Sequence, residues 1–401
     1  MSAPNRFLLA LLTAGLIAAA TSACGSDIPG TPVRQTPDLS QLDVGNYQVK
    51  PRILGHAKSL KQARVRESQR LADYVALPSE ADPTYTQDAL FALKPHIVLN
   101  RKALGDLIIN DTFDDVAKDL VAGWQNAMGT ATTNPGDKQR LMNLAVLEFP
   151  DATTAATVGP TLEHDDFTYN PDNQPVPIPK YPDVKSHWRP TISSIGAWAV
   201  HDRYVVFMKV TDDTSAPDLP ALVSQVERLL DVQFPLLDKF TPTPADALPT
   251  IPLDPDDLLG HTLPTNPEEQ LRADPDAVYT GRGAVAGMQG TSLDFLKTGD
   301  LDQISFGDGA VFRSRTTRGA RQLWQEWKPS THPEPDRKMV SPPKGLGDNA
   351  ECFAELTKDG QTVDMNLCIF QVDRYVVQTA GKQLQDLHQK TAAQYQLLVT
   401  W

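Results

Sequence analysis

The stretch Asp202-Arg203-Tyr204-Val205-Val206 is spelled again as Asp373-Arg374-Tyr375-Val376-Val377, 171 residues further on. Each copy leads to a second shared block, Gln233-Phe234-Pro235-Leu236-Leu237 in one and Gln394-Tyr395-Gln396-Leu397-Leu398 in the other. One repeated pentamer is weak evidence of common origin. The same pentamer followed in the same order by a matching block reads as internal duplication. The interval is 31 residues in the first copy and 21 in the second, and the Asp-, Ser- and Pro-rich Thr211 to Pro220 is the natural insertion, because surface loops change length cheaply. Within the pentamer, Asp and Arg read as a turn and ion pair, and Tyr-Val-Val as the start of a strand.

Working outward, the helices that close the copies show three-or-four spacing: Leu219, Leu222, Val226 and Leu229, then Leu384, Leu387, Thr391, Tyr395 and Leu398. Upstream of the pentamers, Leu141 to Phe149 reads as a buried strand followed by a helix from Ala152 to Leu162. Ala310 to Arg313 followed by Thr316 to Trp327 is its counterpart. Both copies then enter a Pro-rich stretch, Phe167 to Pro190 and Lys328 to Asp348, expected to be irregular and of the kind that forms lids or binding loops. A strand pair follows in each, Ile192 to Val200 with Tyr204 to Val210, and Cys352 to Leu356 with Leu367 to Thr379. The expected fold is therefore α+β: two related, sandwich-like α/β domains on a β-α-loop-β-β-α plan, with mainly antiparallel sheets and helices on one face. The Pro/Asp-rich linker Thr241 to Pro255 places the boundary near residue 250, giving domains 38–250 and 251–401. Ahead of the repeat, a helix is expected from Ala57 to Val75, and another from Thr112 to Met128 with Phe113, Val116, Leu120 and Trp124 on one stripe. Lys58, Lys61, Arg64, Arg66 and Arg70 make the first of these basic, which reads more readily as a solvated face than as a contact for anionic headgroups.

A chain of 401 residues is long enough for two cores. Its 37 Lys and Arg against 50 Asp and Glu give a net charge of −13, which excludes general nucleic-acid binding. At the N-terminus Arg6 precedes the apolar run Phe7 to Ala20 and then Thr21-Ser22-Ala23-Cys24-Gly25. The run is short for a permanent membrane span and has the order of an export signal, residues 1–23. Small residues directly before a cysteine are similar to a bacterial lipobox, so Cys24 is expected to carry the lipid, although Thr21 stands where Leu is usual. Residues 24–37 read as a flexible tether. The body would then hang from the outer face of the cytoplasmic membrane or cell envelope.

In that oxidising setting Cys352 and Cys368, on two strands joined by a turn around Asp359-Gly360, are expected to form a disulfide. The first copy has Ala197 where the second has Cys368, so it lacks the staple. Serine-hydrolase, zinc-protease, P-loop and EF-hand patterns are not spelled, and no catalytic residue, cofactor or metal is assigned. Gly281 to Gly287 reads as a glycine-rich turn. His164-Asp165-Asp166 and His201-Asp202 could serve as general-base pairs or metal ligands, but the first sits at a helix end and the second copy replaces His201 by Val372. Tyr169, Tyr181, His187, Trp188 and Arg189 on the first Pro-rich stretch are the candidate ligand contacts, since rings and guanidinium suit amphiphiles and glycans.

The lipobox-like end, Leu42 to Tyr47, Gln69 to Val75, Phe149-Pro150-Asp151, the DRYVV strings, Thr243 to Asp246 and Gln394 to Leu398 resemble a family of actinobacterial envelope lipoproteins. That family is catalogued as a domain of unknown function with a separate C-terminal domain. The resemblance implies location and two-domain organisation, and transfers no catalytic residue. The leading expectation is a lipid-anchored, non-catalytic envelope protein that engages a lipid, glycan or protein partner through a cleft between its halves or through the Pro-rich loops. The alternatives are an exported hydrolase of unfamiliar type and a purely structural assembly protein.

Overall fold

The computed structural model describes residues 38–401 except 89–93, 106–110, 135, 267–273, 289–291, 358–359 and 361. The export signal, Cys24, the tether and Asp359 of the expected turn therefore lie outside the described residues. Residues Asp38–Trp401 form one compact unit. Its first part runs α1 (Leu60–Leu71), α2 (Pro78–Ala81), β1 (Tyr85–Asp88), β2 (His96–Ile97), α3 (Arg101–Leu104) and α4 (Phe113–Val116). It continues through β3 (Ala122–Thr130), β4 (Arg140–Glu148), α5 (Ala152–Thr168), β5 (Gln174–Val176), β6 (Lys185–Trp188), β7 (Ser194–His201), β8 (Tyr204–Asp212) and α6 (Leu219–Leu237). The second part opens with β9 (Ala277–Tyr279), α7 (Gly281–Met288), α8 (Asp294–Thr298), β10 (Leu301–Gly307), β11 (Gly309–Ser314) and α9 (Thr317–Trp327). It closes with β12 (Arg337–Val340), β13 (Ala350–Leu356), β14 (Val363–Val372), β15 (Tyr375–Gly381) and α10 (Leu384–Val399).

The sheets have one topology. The first is ordered β1-β3-β4-β8-β7-β6-β5, with β2 beside β3, and the second β9-β10-β11-β15-β14-β13-β12. Position for position, β4 answers to β11, β7 to β14 and β8 to β15. Among the described strands the pairings are all antiparallel. The pentamers explain why. Asp202 and Asp373 sit at φ 51° and 48°, a left-handed conformation that Asp tolerates better than most residues. Each makes, with its Arg, a two-residue turn closing the hairpin His201↔Tyr204 or Val372↔Tyr375. The turn carbonyls dock identically: Phe149 N donates to Arg203 O at 2.9 Å and Ser314 N to Arg374 O at 2.8 Å. The two α+β domains with antiparallel sheets are as the duplication implies.

Helices cover both faces of each sheet rather than one. On β8, Val205 and Phe207 pack with Ala155, Val158 and Leu162 of α5, while Val206 and Met208 pack with Val226, Leu229 and Leu230 of α6. Two covered faces are what makes the central strands buried nearly throughout. This also corrects the expected helix over Thr112 to Met128: only Phe113–Val116 is helical, and Trp124 lies in β3, whose residues are buried on both sides. Gly123 is required there, since a Cβ would stand 2.2 Å from the Val98 carbonyl oxygen. The Pro-rich stretches are likewise not merely loops. They hold β5 and β6 in one domain and β12 in the other, with Pro175 on an edge strand, where a missing N–H costs little. In the second domain the strand expected from Leu367 to Thr379 is two strands broken at Asp373-Arg374. The glycine-rich Gly281 to Gly287 is helix α7 rather than a turn.

The basic helix α1 is a free face only in part, with Lys61 exposed and Arg64 half-buried. Arg66 is 9% exposed and donates to Val278 O of β9 at 3.1 Å, and Arg70 pairs with the buried Glu67 at 2.7 Å. The same region joins the domains. Trp124 and Tyr279 rings meet at 5.5 Å, and Arg282 makes two bonds to Glu80, at 2.8 and 2.7 Å. At these residues the boundary expected to hold a cleft is packed.

Candidate functional site

The expected ligand contacts do not converge. His187 and Trp188 are consecutive in β6 and so point to opposite faces of the sheet. His187 meets Phe167 of α5 at 5.7 Å, whereas Trp188 and Tyr181 pack into the core on the α6 side. The Tyr181 hydroxyl donates to Asp231 and its ring meets Phe234 edge-on at 5.5 Å. Tyr169 is 58% exposed and Arg189 half-buried. His201 stacks on Phe234 at 4.4 Å and bonds Asp238 at 2.7 Å, a surface contact at the hairpin end. His164 is exposed, and Asp165 accepts from Thr112.

Asp166 and His187 do form a buried pair. Asp166 accepts from Trp198 Nε1 at 2.8 Å and lies 3.7 Å from His187 Nε2. Burial raises the Asp166 carboxyl and lowers the His187 imidazole, the neighbouring Arg189 adding to the latter, so both are driven toward neutrality. Gly196 lies opposite the imidazole, and a Cβ there would stand 3.4 Å from its Nε2. The imidazole thus packs against the backbone of β7 at Gly196.

The equivalent place in the second domain is open. Carrying the pentamer register across, Trp198 becomes Ile369, Phe207 becomes Gln378, Gly196 becomes Leu367 and His187 becomes Phe353. In the first domain Trp198 and Phe207, paired across β7 and β8, meet as tilted rings at 4.7 Å under α5. In the second, Ile369 and Gln378 are paired in the same way but supply far less ring area. The covering helix is also shorter, 11 residues in α9 against 17 in α5. Pro329 explains the early stop, because the residue before a proline is pushed out of helical geometry. Leu367 and Phe353 add bulk in return, so the exchanges redistribute side-chain volume, and beside the shortened helix lies a pocket of about 480 Å³.

Its floor is apolar, made by Phe353, Leu367, Ile369, Trp327 and Met288. Its rim carries Glu326, His332, Glu334, Arg337, Glu355 and Gln378. Trp327 is held in an aromatic cluster, stacked on Phe295 at 5.0 Å and edge-on to Phe312 at 4.9 Å. Pro329, His332, Glu334 and Arg337 come from the second Pro-rich stretch, which forms one wall. A volume of this size, apolar at the floor and strongly polar at the rim, has the two-sided character of a site for an amphiphilic ligand. Sequence reading looked to the first stretch and missed these residues. The signal that finds them is the large-to-small exchange, Trp198 to Ile369 and Phe207 to Gln378, at the repeat spacing.

The cysteines meet as expected: Cys352 and Cys368 are paired across β13 and β14 and form a disulfide. Ser186 and Ala197 hold the corresponding places in the first domain, where Ser186 Oγ donates instead to Val176 O at 2.6 Å. Among the described residues no group of three or more His, Cys, Asp or Glu is placed to hold a metal ion, and no helix is long and apolar enough to cross a membrane.

No curated protein matches the chain. Among solved structures, the extracellular domain of PknH from Mycobacterium tuberculosis aligns at 12% identity and a TM-score of 0.29, covering 48% of this chain and 100% of that one. A score that low carries nothing over to this protein. Two family models match, one to residues 54–253 and one to residues 258–401. The chain thus belongs to the family described as Domain of unknown function (DUF7373), with the N-terminal and C-terminal parts of that family in succession.

Proposed function

We propose that this is an exported, lipid-anchored cell-envelope protein of actinobacterial type that binds a small envelope amphiphile in the pocket of its second domain without transforming it. The observation that carries the reading is the divergence of the duplicate: the same face is filled by Trp198 and Phe207 in one domain and left as an apolar-floored pocket of about 480 Å³ in the other. The anchor rests on the N-terminal apolar run and Cys24. The second Pro-rich stretch acts as the binding loop, and the first domain serves as scaffold.

Native mass spectrometry of the protein purified from an envelope-producing host tests this reading. The expected result is a co-purifying species that is lost when Phe353→Trp or Ile369→Trp narrows the pocket. A bare apo mass in repeated preparations, together with no binding of added amphiphiles, would remove ligand carriage. Cys24→Ala tests the anchor separately and is expected to move the protein from the membrane fraction to the soluble one.

A further inference from the structure

The rim of the pocket has a charge imbalance that its own cation does not cancel. Three carboxylates, Glu326, Glu334 and Glu355, face one guanidinium, Arg337. That guanidinium is already committed, with Nη1 2.9 Å from Glu334, Nη2 3.5 Å from Glu355 and its centre 4.8 Å over the Phe353 ring. Lys328 and Lys338, the cations nearest in sequence, do not line the pocket. Glu326, exposed at the rim, adds a charge that neither contact of Arg337 offsets.

We propose that the pocket takes a cationic amphiphile, an ammonium or guanidinium head on an apolar body; this rests on reading the pocket as a ligand site. The floor of Phe353, Leu367 and Ile369 receives the body. Ring face and carboxylate together stabilise a cation, and Arg337 over Phe353 is the chain's own example of that arrangement. An anionic head would meet surplus carboxylates at the rim, and this repulsion, which salt weakens, discriminates against it.

The test is calorimetric titration of residues 38–401, which form one compact unit, with three probes sharing a dodecyl chain, each below its micelle concentration: dodecyltrimethylammonium, dodecyl maltoside and dodecanoate. The trimethylammonium probe is expected to bind about tenfold more tightly than either other. Glu326→Gln combined with Glu355→Gln is expected to bring the three near parity while keeping the maltoside affinity. Ile369→Trp is expected to abolish binding of all three, and Gln378→Phe, which copies the first domain at a second position, replaces it if that variant does not fold. Equal binding of the three probes, or tighter dodecanoate binding, with loss of all in the blocking variant, overturns the cationic assignment and leaves the ligand site standing. If none binds, or if the blocking variants leave binding unchanged, the site itself is refuted.

Discussion

Gln233 and Gln394 make the same pair of bonds in the two domains. Gln233 Oε1 accepts from Ala76 N at 2.8 Å while its Nε2 donates to Tyr74 O at 2.9 Å. Gln394 Oε1 accepts from Leu263 N at 2.8 Å while its Nε2 donates to His261 O at 2.8 Å. Each closing helix thus clamps a turn ahead of the first strand of its own domain, and in both that segment runs into Leu-Pro, at Leu77-Pro78 and Leu263-Pro264. Both glutamines are buried, so the backbone groups they satisfy have no water to fall back on.

Replacing either Gln233 or Gln394 by Leu keeps the bulk and strands one buried N–H and one carbonyl. Each substitution is expected to cost about 2 to 4 kcal/mol, the penalty for two orphaned groups. Urea denaturation measures it, and a loss under half a kcal/mol in either domain would contradict the clamp.

Glu148 at the end of β4 pairs across the sheet with Tyr204 of the first pentamer. Burial, then the nearby Glu67, push its carboxyl up from 4.5 to about 8. The unfolded chain releases this proton near the ordinary value while the folded chain keeps it. Its contribution is therefore whole below pH 4.5 and lost as pH rises toward about 8, with a slope of roughly 1.4 kcal/mol per pH unit for one proton. Glu148→Gln should flatten stability over that range and exceed the parent at the alkaline end. Chemical denaturation at the two ends checks the sign.

The Cys352–Cys368 bond closes a loop with a sequence separation of 16 between two fully buried sulfurs. The double Cys→Ala variant is expected to lose about 3 kcal/mol. Thiol reagents should leave the native bond intact until the second domain opens, which mass spectrometry after alkylation reads directly.

Converting the first domain toward the second, with Trp198→Ile and Phe207→Gln together, should open an equivalent cavity under α5 and leave Asp166 without its indole donor. A cost of about 3 to 5 kcal/mol is expected from lost volume and the lost bond. Uptake of a small apolar dye by the folded variant, but not the parent, marks the new space.

How much of this was legible is clearest at particular residues. The pentamer could be read because its instructions are local: Asp accepts the left-handed turn, and Tyr-Val-Val suits a strand. Asp151 and Thr316 cap α5 and α9 by similarly local bonds, each accepting from a backbone N–H three residues on, at 2.7 and 3.0 Å. Trp124 misled because a strand buried on both faces loses its alternation, and its apolar residues then fall by accident at helical spacing. Strands β5, β6 and β12 are short edge pieces whose existence depends on neighbours far along the chain. The pocket was the least visible, since it depends on where α9 stops and on side chains that β13, β14, β15 and the second Pro-rich stretch bring together from far along the chain.

The packed boundary between the domains changes how the duplication should be regarded. One apolar cluster takes in Leu71, Trp124 and Val206 from the first copy and Tyr279, Phe312 and Val376 from the second. A break in the linker would give neither copy back as an independent module, because each would present a raw hydrophobic flank to solvent. Two copies of one topology thus share a single core, so a change on the flank of either is felt by both.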